Sequence, residues 1–245
     1  CRREYWKLKL LSNSENELLT RVEAGTPCGD MLRRYWWPIA TADSVGKTPN
    51  LIKLLGETFV AFRDEDGKVG LLDRKCSHRG ASLEFGRVEK NGLRCCYHGW
   101  LFDRHGNCLD QPCEPENSNF KSRIRQRAYP VHEVAGLVFT YIGPGNAPIF
   151  PKYDLLYRNE CNKTVYGRDM QSNWLQRAEN MMDMLHVMCL HASLYPELAF
   201  KRPLHYDWTK RWYGFQMDLT YPNGTEDRHH YVFPFINRVQ VMRDR

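Results

Sequence analysis

The sequence predicts an α+β chain in three parts: an N-terminal helical segment, a small antiparallel β domain, and the first part of a catalytic-type domain with a helix on an antiparallel sheet. Three observations predict it. Helix signals gather before residue 48 and again at 173–190. Short apolar strands separated by polar, glycine-containing turns fill the middle. Two longer strand-like stretches joined by Asn223-Gly224 close the chain. The expected boundaries are 1–48, 49–150 and 151–245.

Each element has a local reason. Ser14-Glu15-Asn16-Glu17 precedes Leu18, Leu19 and Val22, which predicts a capped amphipathic helix ending near Gly25. Asp30 opens a second helical stretch that is expected to run through Trp36-Trp37 and stop at Pro38. Residues 58–62 and 69–72 flank Asp64-Glu65-Asp66-Gly67, and residues 100–102 and 108–109 flank Arg104-His105-Gly106-Asn107. Both read as hairpins. Residues 137–142 form a further apolar strand closed by Gly143-Pro144-Gly145. Residues 173–190 hold little Gly or Pro and read as one helix, and 213–221 and 229–242 read as strands around the Asn223-Gly224 turn.

Composition narrows the function classes. Hydrophobic residues at 42% and charged residues at 26% are globular values, which exclude wholesale disorder. No apolar run approaches 18 residues, so no membrane span is expected. The net charge of +6 is scattered, and clusters such as Arg33-Arg34 do not form the stripe that nucleic acid requires. Nine cysteines in a chain this long suit reduced thiols and metal ligation better than a disulfide scaffold, and so a cytoplasmic compartment. Cys1-Arg2-Arg3 loosely resembles a twin-arginine signal, but Lys7, Lys9 and Asn13 interrupt the apolar stretch that export needs. Residues 1–10 are therefore expected to reflect upstream sequence or a fragment boundary, and the sequons at Asn162 and Asn223 are expected to be accidental.

The first constellation is Cys76-x-His78 followed by Cys95-x-x-His98. Each half lies in a loop beside a hairpin, so two loops close over one centre. Gly80 and Gly99 follow the histidines and permit tight turns. Zinc fingers usually draw cysteines from one segment and histidines from another, whereas here each loop supplies one of each. That suits a Rieske [2Fe-2S] cluster, with two thiolates on one iron and two imidazoles on the other. Cys96, beside Cys95, is expected to be a small buried filler.

The second constellation is Asn180-x-x-Asp183-x-x-His186-x-x-x-x-His191. Asp183 and His186 are neighbours on one helix face. His186 and His191 are about 140° apart on an ideal helix, too far to share a metal. The helix is therefore expected to end, kink or bulge near 188–190. Two histidines with a carboxylate suit a mononuclear non-haem Fe(II) site of the kind that activates O2.

Together the motifs resemble the Rieske non-haem iron aromatic-ring oxygenases, in particular the oxygenase (alpha) component of the phthalate dioxygenase-like branch. Glu17-Leu18-Leu19-Thr20-Arg21-Val22, Gly25-Thr26-Pro27, residues 32–39 and Asn173-Trp174-Leu175-Gln176 extend the resemblance over about residues 11–242. It implies that Cys76, His78, Cys95 and His98 hold the cluster and that His186 and His191 hold the catalytic iron. It further implies that Asp183 bridges the two centres across a subunit boundary, accepting from His186 and from His98 of a neighbouring chain. A ring-shaped homo-oligomer, a trimer, follows, and Asn180 lies beside the iron. Electrons from NAD(P)H would arrive through a flavin or ferredoxin-type reductase, and the substrates would be O2 and an aromatic compound, hydroxylated or O-demethylated. Respiratory Rieske proteins carry hydroxyl donors where Trp100 and Phe102 stand here, and a loop disulfide where Ala81 and Tyr97 stand, so a low-potential cluster is expected.

One departure opposes this reading. The family's third iron ligand lies on a helix far downstream, but only 54 residues follow His191. Asp207, Asp218, Glu226, Asp227 and Asp244 do not sit at the matching place. The resemblance thus implies a C-terminally incomplete oxygenase. Two other classes stay open: a Rieske electron-transfer protein without oxygen chemistry, and a zinc-stabilised binding module. Met181, Met182, Met184, Met188 and Phe233-Pro234-Phe235 are expected in the core rather than in a pocket, and Arg228 and Arg238 are unranked partners for a substrate carboxylate.

Overall fold

The computed structural model describes residues 10–115, 117–168 and 170–242. The stretch 1–7 and Asp244, weighed above, lie outside them. The chain divides into two units: Arg21–Asp169, and the residues up to Thr20 together with those from Met170 onward.

Helix α1 (Asn13–Thr20) opens the chain. The Ser12 hydroxyl accepts from the Glu15 N–H (3.2 Å) and the Glu15 carboxylate accepts from the Ser12 N–H (2.8 Å), a reciprocal capping box. The helix ends at Thr20, short of the expected Gly25, where the Thr20 hydroxyl donates back to the Asn16 carbonyl.

In the Arg21–Asp169 unit, α2 (Pro27–Leu32) starts at a Thr26 cap with proline in its first turn. It begins before Asp30 and stops at Leu32. Trp36 and Trp37, expected in this helix, instead open a strand, because their backbone pairs with residues a hundred positions away. The strands are β1 (Trp36–Thr41), β2 (Asn50–Leu54), β3 (Glu57–Arg63), β4 (Val69–Asp73), β5 (Arg87–Glu89), β6 (Gly92–Arg94), β7 (Leu101–Asp103), β8 (Cys108–Asp110), β9 (Val131–Val134) and β10 (Leu137–Tyr141), followed by a single-turn helix α3 (Asp154–Tyr157). They form antiparallel sheets ordered β1-β10-β9, β2-β3-β4 and β5-β6-β7-β8. The hairpins at 64–67 and 104–107 lie where the turn residues put them. Asp64 and Asp103 close them by accepting from the N–H groups of Lys68 and Asn107. Val60, Phe62, Leu72, Leu83, Leu93 and Phe102 pack as one core, and Cys76, Cys95 and Trp100 belong to the same cluster. The first candidate centre therefore sits against a hydrophobic core.

In the other unit, α4 (Trp174–Met182) is capped by Asn173, whose side chain accepts from the Leu175 N–H (3.0 Å) and donates to the Thr20 carbonyl (2.8 Å). The single helix expected over 173–190 is broken: Asp183 leaves helical geometry (φ −93°, ψ 88°) and α5 (Leu185–Leu190) follows. The Asp183 carboxylate accepts from the Leu185 N–H (3.1 Å), so an acidic side chain ends one helix and starts the next. The antiparallel meander β11 (His205–Arg211), β12 (Gly214–Thr220), β13 (Glu226–Val232) and β14 (Ile236–Met242) completes the unit. β11 had no clear sequence signal. The strand expected over 229–242 is two strands, separated at Phe233-Pro234, whose peptide bond is cis. The architecture is α+β. Among the described residues no helix is long and apolar enough to cross a membrane.

Candidate metal centres

Two loops of matching build carry the first constellation. In the β4–β5 loop, the Cys76 N–H donates to the Ala81 carbonyl (2.9 Å) and the Gly80 N–H to the Cys76 carbonyl (2.8 Å). In the β6–β7 loop, the Cys95 N–H donates to the Trp100 carbonyl (2.8 Å) and the Gly99 N–H to the Cys95 carbonyl (3.1 Å). Each turn closes through a glycine in the left-handed region, Gly80 at φ +72° and Gly99 at φ +73°. The two loops thus share one backbone frame, with the cysteine at the same position in each and the histidine two residues on in the first loop and three in the second.

The four side chains stand as two pairs. Cys76 and Cys95 are each 3% exposed and lie within hydrogen-bonding reach of one another. Burial, with Cys95 as neighbour, pushes the Cys76 thiol up to about 12, although the N–H groups of His78 and Arg79 are directed at its sulfur. A buried dithiol with main-chain donors aimed at sulfur suits thiolates whose charge a metal offsets. His78 and His98 are half-buried, with ring centroids 4.6 Å apart. His78 stacks flat on buried Trp100 (4.2 Å, 5°), and exposed Tyr97 lies over His98 (3.8 Å). Among the described residues no three His, Cys, Asp or Glu side chains converge as a single-ion site requires. Two thiols and two imidazoles arranged pairwise fit a two-iron cluster better than one zinc. Cys96 is exposed rather than buried, because its neighbour Cys95 takes the inward direction of the turn.

Residues without a motif hold these loops. Buried Gln126 accepts from the Ser77 N–H (2.8 Å) and donates to the carbonyls of Asp73 (3.0 Å) and Lys75 (2.9 Å), gripping the first loop on both sides of Cys76. Arg94 grips the second loop: it donates to the Gly99 carbonyl and is fixed by Glu89 and by Asp110 (2.9 Å). Arg74 ties the first loop to Ser82 (3.0 Å) and Glu84 (2.8 Å). Gln126 is some fifty positions from its partners, so no local pattern announces it.

Of the second constellation, Asn180, His186 and His191, but not Asp183, line an open cleft of ≈ 810 Å³ bounded by α4, α5, the following loop, the β12–β13 turn and the β13–β14 hairpin. α5 ends at Leu190, and His191 lies just beyond it in non-helical geometry (φ −101°, ψ 20°), as the i,i+5 spacing requires. The rings of His186 and His191 come to 5.3 Å between centroids. His186 Nδ1 meets the main-chain carbonyl of Asp183, which fixes the proton on Nδ1 and leaves Nε2 as the free lone pair. The Asp183 carboxylate itself accepts from Leu185, so here the carbonyl rather than the carboxylate orients His186. Asn180 lines the cleft, and its side-chain oxygen accepts from Arg177 (3.2 Å). The two histidines fit as two nitrogen ligands of one ion, and no third ligand joins them among the described residues. Met181 and Met184 also line the cleft, whereas Met188 is buried in the core with Leu198, Leu219 and Tyr221. A separate cleft of ≈ 600 Å³ lies between residues 67–69 and 131–136 and holds none of these residues.

Residues 35–130 match the Rieske [2Fe-2S] domain family. The chain is 45% identical over 190 residues to the phenoxybenzoate dioxygenase subunit alpha of Ectopseudomonas oleovorans, an alignment covering 71% of this chain and 46% of that protein. It is 40% identical over 188 residues to the 5,5'-dehydrodivanillate O-demethylase oxygenase subunit of Sphingobium sp., covering 75% and 44%. Its fold is similar to that of dicamba monooxygenase bound to dicamba, with a TM-score of 0.68 at 19% identity, over 86% of this chain and 66% of that one. The chain spans less than half the length of the two curated relatives. On its matched domain and these relatives, the chain belongs to the Rieske non-haem iron oxygenases.

Proposed function

We propose that the chain is part of the oxygenase component of a Rieske-type system, acting on an aromatic compound with O2 by hydroxylation or O-demethylation. Cys76 and Cys95 would hold one iron of a [2Fe-2S] cluster, and His78 and His98 the other. His186 and His191 would hold a mononuclear iron, with Asn180 beside it and Asp183 positioning His186. The observation that carries the reading is the pairing in two loops of the same build: buried thiols in contact, half-buried imidazole rings at 4.6 Å. The relatives support it, being oxygenase subunits of a dioxygenase and an O-demethylase.

When bound, the cluster supplies single electrons and the mononuclear iron supplies O2 activation. The chain's own residues do the rest. The core around Cys76 and Cys95 excludes water from the sulfur side, and main-chain N–H groups at His78 and Arg79 stabilise thiolate charge. The half-buried imidazole side, beside exposed Tyr97, is the reachable end for electron exchange. Trp100 fixes the plane of His78. The donor would be a flavin or ferredoxin-type reductase using NAD(P)H, in a cytoplasmic setting that suits free thiols. A bridging role for Asp183 toward His98 of a neighbouring chain implies a homo-oligomer, a trimer.

The test is O2 consumption coupled to product when an electron donor is supplied. Coupled turnover supports the oxygenase reading. Reduction and reoxidation of the cluster with no product from any aromatic offered would leave a pure electron carrier.

A further inference from the structure

The α4–α5 cleft carries polar groups that the metal reading does not use. Asp227 and His229 are alternate residues of β13, on one face of the strand, and both line the cleft. They are 8% and 4% exposed. The Tyr221 hydroxyl donates to Asp227 Oδ2 (3.0 Å), and His229 Nε2 stands 4.0 Å from that oxygen, beyond hydrogen-bond range. Among the described residues, Asp227 Oδ1 and both ring nitrogens of His229 have no hydrogen-bond partner. Burial lowers the His229 pKa and so favours the neutral ring, with one donor and one acceptor. Unpaired groups of this kind, buried in a cleft wall, call for a partner from the cleft.

We propose that Asp227 and His229 form the polar anchor of the substrate site and select an uncharged aromatic alcohol or phenol over an aromatic carboxylate. The anchor rests on the oxygenase reading for its role in turnover. A hydroxyl matches it group for group: its proton goes to Asp227 Oδ1 and its oxygen accepts from the His229 N–H. A carboxylate accepts only. It would leave Oδ1 unpaired and bring a second anion against Asp227. No arginine on β13 offsets this, because Arg228 lies on the opposite face and is held there by Asp218. Among the described residues the charged lining of the cleft adds only Arg177 and Glu197, of opposite sign. The apolar remainder, with Met181, Met184 and Val239, suits an aromatic body.

Three probes of one shape test it on the iron-loaded chain: biphenyl-4-ol, biphenyl-4-carboxylate and biphenyl, with affinities by calorimetry. The expected order is the phenol at least about tenfold tighter than either of the others. Asp227→Asn replaces an acceptor oxygen with a donor, and is expected to move the preference toward the carboxylate by about tenfold or more. A shifted preference with binding retained is not a result that unfolding produces. His229→Gln keeps a donor and an acceptor and is expected to retain the order. Equal affinity for all three, no binding at all, or a preference unmoved by Asp227→Asn overturns the anchor. The cluster spectrum of the same samples reports separately on the oxygenase reading: its absence sinks that reading, while the binding order still decides the anchor.

Discussion

Gln126→Leu probes how the first cluster loop is held. The side chains are close in volume, so the substitution keeps packing and removes hydrogen bonds. Three main-chain groups lose their partner: the Ser77 N–H, the Asp73 carbonyl and the Lys75 carbonyl. Ser77 and Lys75 are exposed residues, so water recovers part of the loss. At about 1 kcal/mol per group left unpaired, the net cost is about 2–3 kcal/mol. At this chain length that corresponds to a fall in Tm of roughly 4–12 °C. Loss of an outer support also weakens metal retention, by about 10–100-fold where such supports have been removed from other sites. Thermal melts followed by circular dichroism, with iron content after gel filtration, read both effects. Gln126→Glu keeps the acceptor for Ser77 but turns a carboxylate toward two carbonyls, and is expected to be at least as damaging. A Gln126→Leu protein that melts within about 2 °C of the parent and keeps its iron would refute the bracing role.

Other perturbations follow from the same geometry. Gly99→Ala places a Cβ 2.9 Å from Pro112 Cγ at φ +73°, whereas Gly80→Ala at φ +72° meets nothing within 4 Å among the described residues, so Gly99→Ala is expected to lose the cluster and Gly80→Ala to cost only about 1–2 kcal/mol. Equal iron retention in the two variants would contradict this. With Trp100 rather than a hydroxyl beside His78, the reduction potential is expected near the low end of the Rieske range, about −150 mV, and a strongly positive value in a redox titration would contradict it. Burial holds His229 below the ordinary value of 6.5. The unfolded chain binds that proton from pH 6.5 downward and the folded chain only at lower pH, so stability falls as pH drops below 6.5. Denaturant melts at several pH values should show the slope, and His229→Gln should make it shallower, with His78 and His230, also lowered by burial, keeping the remainder.

What was legible in the sequence was whatever depends on neighbours in the chain. The turns at 64–67 and 104–107 and the two Cys/His loops are local chemistry, and all lie where the residues imply. That the helix must end, kink or bulge near 188–190 follows from helix geometry, since His186 and His191 cannot otherwise meet, and α5 takes the first course by ending at Leu190. What depended on distant partners was hidden. Trp36 and Trp37 look helical after α2 but pair with the strand at 137–141. In the sequence Asp183 looks like a functional carboxylate, while its capping of Leu185, which splits the helix, shows only in the structure. Gln126 carries no signal because its partners lie some fifty residues away. Asp227 stood among several acidic residues until the strand register brought it and His229 to one face.

The most direct test of the central claim is iron and inorganic sulfide per chain on anaerobically purified protein, with EPR of the dithionite-reduced sample. The account predicts two irons and two sulfides from the cluster, a Rieske-type signal, and further iron bound at His186 and His191. Cys95→Ser should abolish the Rieske signal. One zinc per chain, or an iron–sulfur signal that survives replacement of both His78 and His98, would contradict it.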